Sequence, residues 1–167
     1  MFRKLDDFQK AYANMAEGTG KVFALIDEKN IGQSVAPGHR ILGQLAWHLV
    51  TTIPEMMNRT GLGLSSVDPR SMPPGSPARI VAAHKAAVDE MMKAMKAGWT
   101  DDTLLQTDDM YGEQWQRGLT LSALVEHEAH HRGEMVVLLR QAGVAVPGLY
   151  GPSKEEWARF GMEAPPY

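Results

Sequence analysis

Four stretches of this chain repeat their apolar residues every three or four positions, and no stretch alternates with a period of two. At about 100° per residue, that spacing puts the apolar side chains on one face of a helix. The pattern predicts an all-α protein. The first stretch runs from Leu5 to Lys29, with Phe8, Tyr12, Met15, Val22 and Ile26 in register. Gly18 and Gly20 weaken it, by about 1 kcal/mol each relative to alanine in a helix interior. The second spans His39 to Arg59, with Ile41, Leu45, His48, Leu49, Thr52 and Met56 on one side. Pro54 lies inside it and should bend the helix or open one backbone bond. Ser76-Pro77, an N-cap followed by a first-turn proline, starts the third, which runs to Gly98 with Ile80, His84, Val88, Met91 and Met95 aligned. Thr120 caps the fourth, which stops at Gly143.

The segments between them read as loops. Residues 61–75 are rich in Gly, Ser and Pro. Residues 99–118 carry no strong period, although Thr100-Asp101-Asp102 suits the cap of a short helical turn. Pro147 to Pro152 reads as a turn, and Ser153-Lys154-Glu155-Glu156 is a capping box for a short last helix. Four amphipathic helices of this length in 167 residues are expected to form one domain, residues 1–167, packed as a four-helix bundle. The two middle connections are long enough to cross the bundle, so simple up-and-down winding is not imposed.

Composition removes several function classes. With no cysteine, the chain has no disulfide framework, thiol nucleophile or cysteine-ligated zinc, so histidine and carboxylate must carry any metal chemistry. A net charge of −3 and no basic run longer than two residues argue against nucleic-acid binding. No segment has the apolar length of a membrane span. The opening Met1-Phe2-Arg3-Lys4-Leu5-Asp6-Asp7 lacks the apolar stretch of a secretory leader. A cytoplasmic location is the default expectation.

Three of the six histidines fall within residues 127–131 of the fourth helix. His127 and His131 are one turn apart on one face, between Leu121 and Leu124 on one side and Met135 and Leu138 on the other. Two imidazoles in an apolar seam are explained by a shared metal ion. His48, midway along the second helix on the stripe of Leu45, Leu49 and Thr52, is the candidate third ligand, since bundles build metal sites from inward side chains on facing helices. Three imidazoles leave coordination positions open for water or substrate, as in catalytic zinc sites, and suit nickel equally. Glu134, one turn beyond His131, is the candidate for a carboxylate that orients an imidazole or acts as general base. His84 suits a fourth ligand or proton shuttle, though a hydrogen-bonded core histidine is the plainer expectation. His130 is expected at the edge of the seam and His39 in solvent. Glu128 and Arg132 fit a surface i,i+4 pair, and Met91, Met92 and Met95 fit core filling. Tyr111, Trp115 and the loop 147–152 are candidates for a substrate wall, while Trp47, next to a candidate ligand, fits packing between helices.

Two motif readings compete. His127-Glu128-Ala129-His130-His131 satisfies H-E-x-x-H, the zinc-peptidase signature with Glu128 as base. The metzincin extension fails at Glu134 and Val137, and a carboxylate third ligand would have to be Glu155 or Glu156. The fuller match is elsewhere. Residues 127–135, His-Glu-Ala-His-His-Arg-Gly-Glu-Met, resemble the H-x-x-x-H-R-G stretch of the DinB-like (DinB/YfiT) family, and residues 43–49, Gly-Gln-Leu-Ala-Trp-His-Leu, resemble its single-histidine segment. Many members of that family carry glutamine where this chain has Glu134. The resemblance implies a four-helix bundle with long crossover connections, often a homodimer, with a divalent metal on His48, His127 and His131, zinc or nickel in different members. It further implies chemistry on a small-molecule substrate with a low-molecular-weight thiol as co-substrate, of the thiol S-transferase or hydrolase type. A non-catalytic metal-binding bundle is the remaining expectation.

Overall fold

Each of the four periodic stretches is a helix in the computed structural model, which describes residues 1–166. Helix α1 spans Leu5–Phe23, α2 Leu42–Asn58, α3 Pro77–Gly98 and α4 Arg117–Gln141. α1 ends six residues before the expected Lys29 because Asp27 and Asn30 offer the backbone other partners. Asp27 Oδ1 accepts from the Lys29 and Asn30 amides, and Asn30 Oδ1 accepts from the Asp27 amide. Such side-chain bonds compete with the helical ladder. α2 starts later than His39 because Ile41 is extended and bridged to Ser34, while the Gln44 side chain accepts its amide. α2 continues through Pro54, which is buried.

Both α1 and α2 pack against α3 and α4, so the order around the bundle is α1, α3, α2, α4. Consecutive helices α1 and α2 therefore face each other across the diagonal, as do α3 and α4. The crossings are made by residues 24–41 and 99–116. Of the two middle connections expected to be able to cross, only the second does; residues 59–76 join adjacent helices. This places α2 directly against α4. Among the described residues, no helix is long and apolar enough to cross a membrane.

The connection into α4 holds two strands that the sequence pattern does not predict. β1 (Thr107–Met110) and β2 (Glu113–Gln116) form an antiparallel hairpin. Its turn residues, Tyr111 and Gly112, both have positive φ, 61° and 88°, as a two-residue hairpin turn requires. Only Met110 of the eight strand residues is fully buried, so no apolar alternation marks the strands. Thr100 caps a short 3-10 helix at Asp101–Leu105, as its sequence suggests. The box at Ser153 precedes another, at Trp157–Phe160.

The buried face of α4 is the largest departure from expectation. Leu121, Leu124, Met135 and Leu138 are buried, but so are Glu128 and Arg132, each 2% exposed. They are not a surface pair. Thr19 Oγ1 of α1 donates to Glu128 Oε1 at 2.5 Å, and His84 Nε2 of α3 lies 3.8 Å from the same oxygen. His84 also packs on the Phe23 ring, so it is a core histidine away from the other three. Burial pushes the Glu128 carboxyl up, but His84, Thr19 and Tyr12 around it prevail and hold it below the usual carboxylate range. Arg132 Nη1 donates to the Met15 carbonyl at 3.0 Å. Gly18 makes room for it, since a Cβ there would lie 2.7 Å from Arg132 Nη1.

Nothing lies within 4 Å of a Cβ built on Gly20. Gly20→Ala should therefore raise stability by about 0.5–1 kcal/mol through backbone entropy. Gly18→Ala should lower it despite the same helix propensity gain, because it displaces a buried guanidinium from its acceptor. Denaturant unfolding of the two variants in parallel checks this; equal gains at both positions would contradict the role given to Arg132.

Candidate metal centre

His48 projects from the middle of α2 and meets His127 and His131 from α4. His48 Nε2 and His127 Nε2 are 3.1 Å apart. The ring centroids lie 4.9 Å (His48–His127), 4.7 Å (His48–His131) and 4.5 Å (His127–His131) from one another. One nitrogen from each ring falls within 4.8 Å of the other two. Two imidazole nitrogens bound to one ion at about 2.0–2.1 Å stand roughly 3–3.4 Å apart, so the His48–His127 spacing fits a shared divalent cation. All three rings are half-buried, against the core yet open on one side.

Burial and neighbouring charge favour the neutral form of His48 and His127, the form that ligates. Burial is the largest cause pushing His48 down to about 4, followed by the Arg40 charge and the other two imidazoles, with Glu134 opposing. His127 is lowered by burial first, then by His131, His130 and Arg40. His131 Nδ1 donates to Glu134 Oε2 at 2.5 Å, which leaves its Nε2 as the free lone pair. His127 has no such support: its Nδ1 is buried without a partner among the described residues. His130 is exposed, with Nε2 3.8 Å from Glu134 Oε1.

A cavity of about 300 Å³ opens beside this cluster, with His131 and Glu134 in its wall. Leu45 and Leu138 form its inner side. The outer side comes from the approach to α2, through Val35, His39 and Arg40. None of the expected wall residues lines it. Tyr111 OH donates to Glu55 Oε2 at 2.6 Å, under Arg59, and Trp115 Nε1 donates to Glu113. Gly148 to Tyr150 lie over Arg132 near α1. Trp47 Nε1 donates to the Ser71 carbonyl and packs against the α2–α3 loop. Val35 and Arg40 carried no periodic signal, because they sit in an irregular segment that only the folded chain brings to the histidines.

The H-E-x-x-H reading requires Glu128 at the metal and a carboxylate as third ligand. Glu128 is instead bonded to Thr19 inside the bundle. Glu155 pairs with Arg140, and Glu156 Oε2 accepts from the Gly148 and Ser153 amides. The third residue converging on His127 and His131 is His48.

Comparison with known proteins identifies the family and the fold. The sequence profile of the DinB family matches residues 1–165. The chain belongs to the DinB family. A DinB-like protein from Bacillus cereus ATCC 10987 superposes with a TM-score of 0.85 at 33% identity, over 90% of this chain and all of that one. The chain is also 38% identical over 165 residues, 99% of each protein, to the uncharacterized protein YrdA of Bacillus subtilis (strain 168). The DinB-like protein YjoA of Bacillus subtilis shares the fold with a TM-score of 0.69 at 16% identity, covering 86% of this chain and 97% of YjoA. The all-α, crossed four-helix bundle expected from the DinB resemblance is therefore the observed one.

Neutral imidazoles make the metal-free DinB bundle sensitive to acid. His48 has an ordinary value near 6.5 when unfolded and about 4 when folded, so between those values the unfolded chain binds more protons. Stability is then full above about pH 6.5 and is lost as pH falls toward 4. Thermal unfolding of chelator-treated protein should show its midpoint falling across that window. His48→Asn should make the fall shallower; an identical profile would contradict the assigned cause.

Proposed function

We propose that this DinB family protein is a metal-dependent enzyme whose single domain, residues 1–167, holds one divalent ion, zinc or nickel, on His48, His127 and His131. The observation that carries this reading is the convergence of three imidazoles from two facing helices beside a cavity. A divalent ion there supplies Lewis acidity, lowering the pKa of a water or thiol at its remaining positions. Glu134 Oε2 holds the His131 Nδ1 proton and so orients that ring. Glu134 is also the one carboxylate in the cavity wall, and we assign it as acceptor of the proton released by the nucleophile. Leu45 and Leu138 make the inner side of the cavity apolar.

The chain has no cysteine, so a sulfur nucleophile must arrive with the substrate. In this reading the co-substrate is a low-molecular-weight thiol and the reaction transfers it to a small electrophile; with water as nucleophile the same site is a hydrolase. The DinB resemblance supports a homodimer, and a reduced thiol co-substrate would suit a cytoplasmic location.

Metal analysis of protein purified without added metal or an affinity tag tests the site. Wild type should carry about one equivalent, and His48→Ala should lose most of it, since removing one of three protein ligands opens the site. Metal retained in His48→Ala would return weight to the peptidase motif on α4 alone. In a thiol-transfer assay of the loaded protein, Glu134→Gln should keep its metal and lose about 10–100-fold in rate. Absence of turnover with every low-molecular-weight thiol would count against the transferase.

A further inference from the structure

The cavity beside the histidines has two chemically different sides. Leu45 and Leu138 close its inner side, 5% and 4% exposed, while Val35 and Val137 stand at its rim with 59% and 52% of their surfaces free. Arg40 lines the same cavity. Arg59, Arg117 and Arg140 each pair with a carboxylate, and Arg132 bonds to Met15. Arg40 makes neither kind of bond among the described residues.

An unpaired surface arginine is ordinary; here the backbone beside it is held in place. Its neighbour Ile41 is bridged to Ser34, the Leu42 amide donates to the Gln33 carbonyl at 2.8 Å, and the Ile41 amide donates to Gln44 Oε1 at 3.1 Å. The backbone on the α2 side of Arg40 is therefore fixed before any ligand arrives. The only carboxylate in the cavity wall, Glu134, is already engaged by His131. Among the described residues, Arg40 thus pairs with no anion of the protein. A guanidinium recognises a planar carboxylate through two parallel N–H donors. A phosphate dianion would call for further donors that the apolar strip does not supply.

We infer that this cavity binds a small carboxylate with an apolar chain: the carboxylate on Arg40, the chain along Leu45, Val137 and Leu138, and the far end toward His131 and Glu134. The role of that far end rests on the metal-site reading; the Arg40 contact does not. Arg40 is then the residue that selects the substrate class.

Calorimetric titration of the full chain, zinc-loaded and metal-free, with 3-phenylpropanoate, 3-phenylpropanamide and phenyl phosphate tests the assignment. Wild type should bind the carboxylate about tenfold more tightly than the neutral amide, as expected for one charge-assisted pair in a partly exposed site. Arg40→Gln should abolish that preference, and Arg40→Lys should restore part of it. His48→Ala should keep it while losing metal. No carboxylate binding by wild type, equal binding of the amide, tighter binding of the phosphate, or an unchanged preference in Arg40→Gln would each overturn the assignment. Metal content measured on the same samples separates the two ideas. A wild type without metal that keeps the Arg40-dependent preference overturns only the metal reading. A metal-bearing wild type without the preference overturns only the carboxylate site.

Discussion

Two buried charges on α4 set the rotation of that helix about its axis, and the histidine cluster depends on the rotation. Glu128 takes a hydrogen bond from Thr19 of α1, and Arg132 donates to the Met15 carbonyl on the same helix. Each anchor follows a cluster histidine by one residue, about 100° further round the helix. Turning α4 enough to move His127 and His131 away from α2 would strip both anchors of their partners. An apolar seam tolerates such turning, because one methyl group replaces another at little cost. A buried charge does not: leaving one unpaired costs several kcal/mol. The glycine at position 18 belongs to this device, since any side chain there would occupy the space of the Arg132 guanidinium.

The crossed topology does the rest of the positioning. Because consecutive helices lie on diagonals, α2 and α4 become neighbours, and a histidine at residue 48 meets two more some 80 positions later. The cluster sits where burial and positive charge coincide. Burial of the rings and the charge of Arg40 both disfavour protonation of His48, so that ring stays in the neutral form able to ligate. Glu134 counters only part of this and fixes the outer nitrogen of His131. Arg40 adds to the lowering of His48 and His127 and also lines the cavity, so in the proposed reading metal affinity and ligand choice would draw on one local field.

Periodicity made the four helices legible, and the i,i+4 spacing of His127 and His131 made their common face legible. His48 could be paired with them because it lay on an apolar stripe of a second helix. The hairpin at residues 107–116 was not legible: its strands are mostly polar, and it rests on the Tyr111-Gly112 turn and on the ion pair of Arg117 with Asp108. Glu128 and Arg132 left a trace that charge concealed. They continue the buried spacing of Leu121, Leu124, Met135 and Leu138, yet a Glu–Arg pair one turn apart fits a solvated face equally well. Only the position of Thr19 and Met15 on α1 shows that the core has partners for them.

By itself, the sequence determined what is local: helix number, which residues share a helix face, the absence of a cysteine nucleophile, and a family pattern of one histidine followed by a pair. Those follow from backbone geometry and side-chain chemistry over a few residues. The tertiary structure decided which helices are neighbours, which way Glu128 points, and that residues 35–40 rather than the segments after α3 or α4 wall the cavity. These depend on contacts between residues tens of positions apart, where a polar side chain is buried or solvated according to whether a partner waits on another helix.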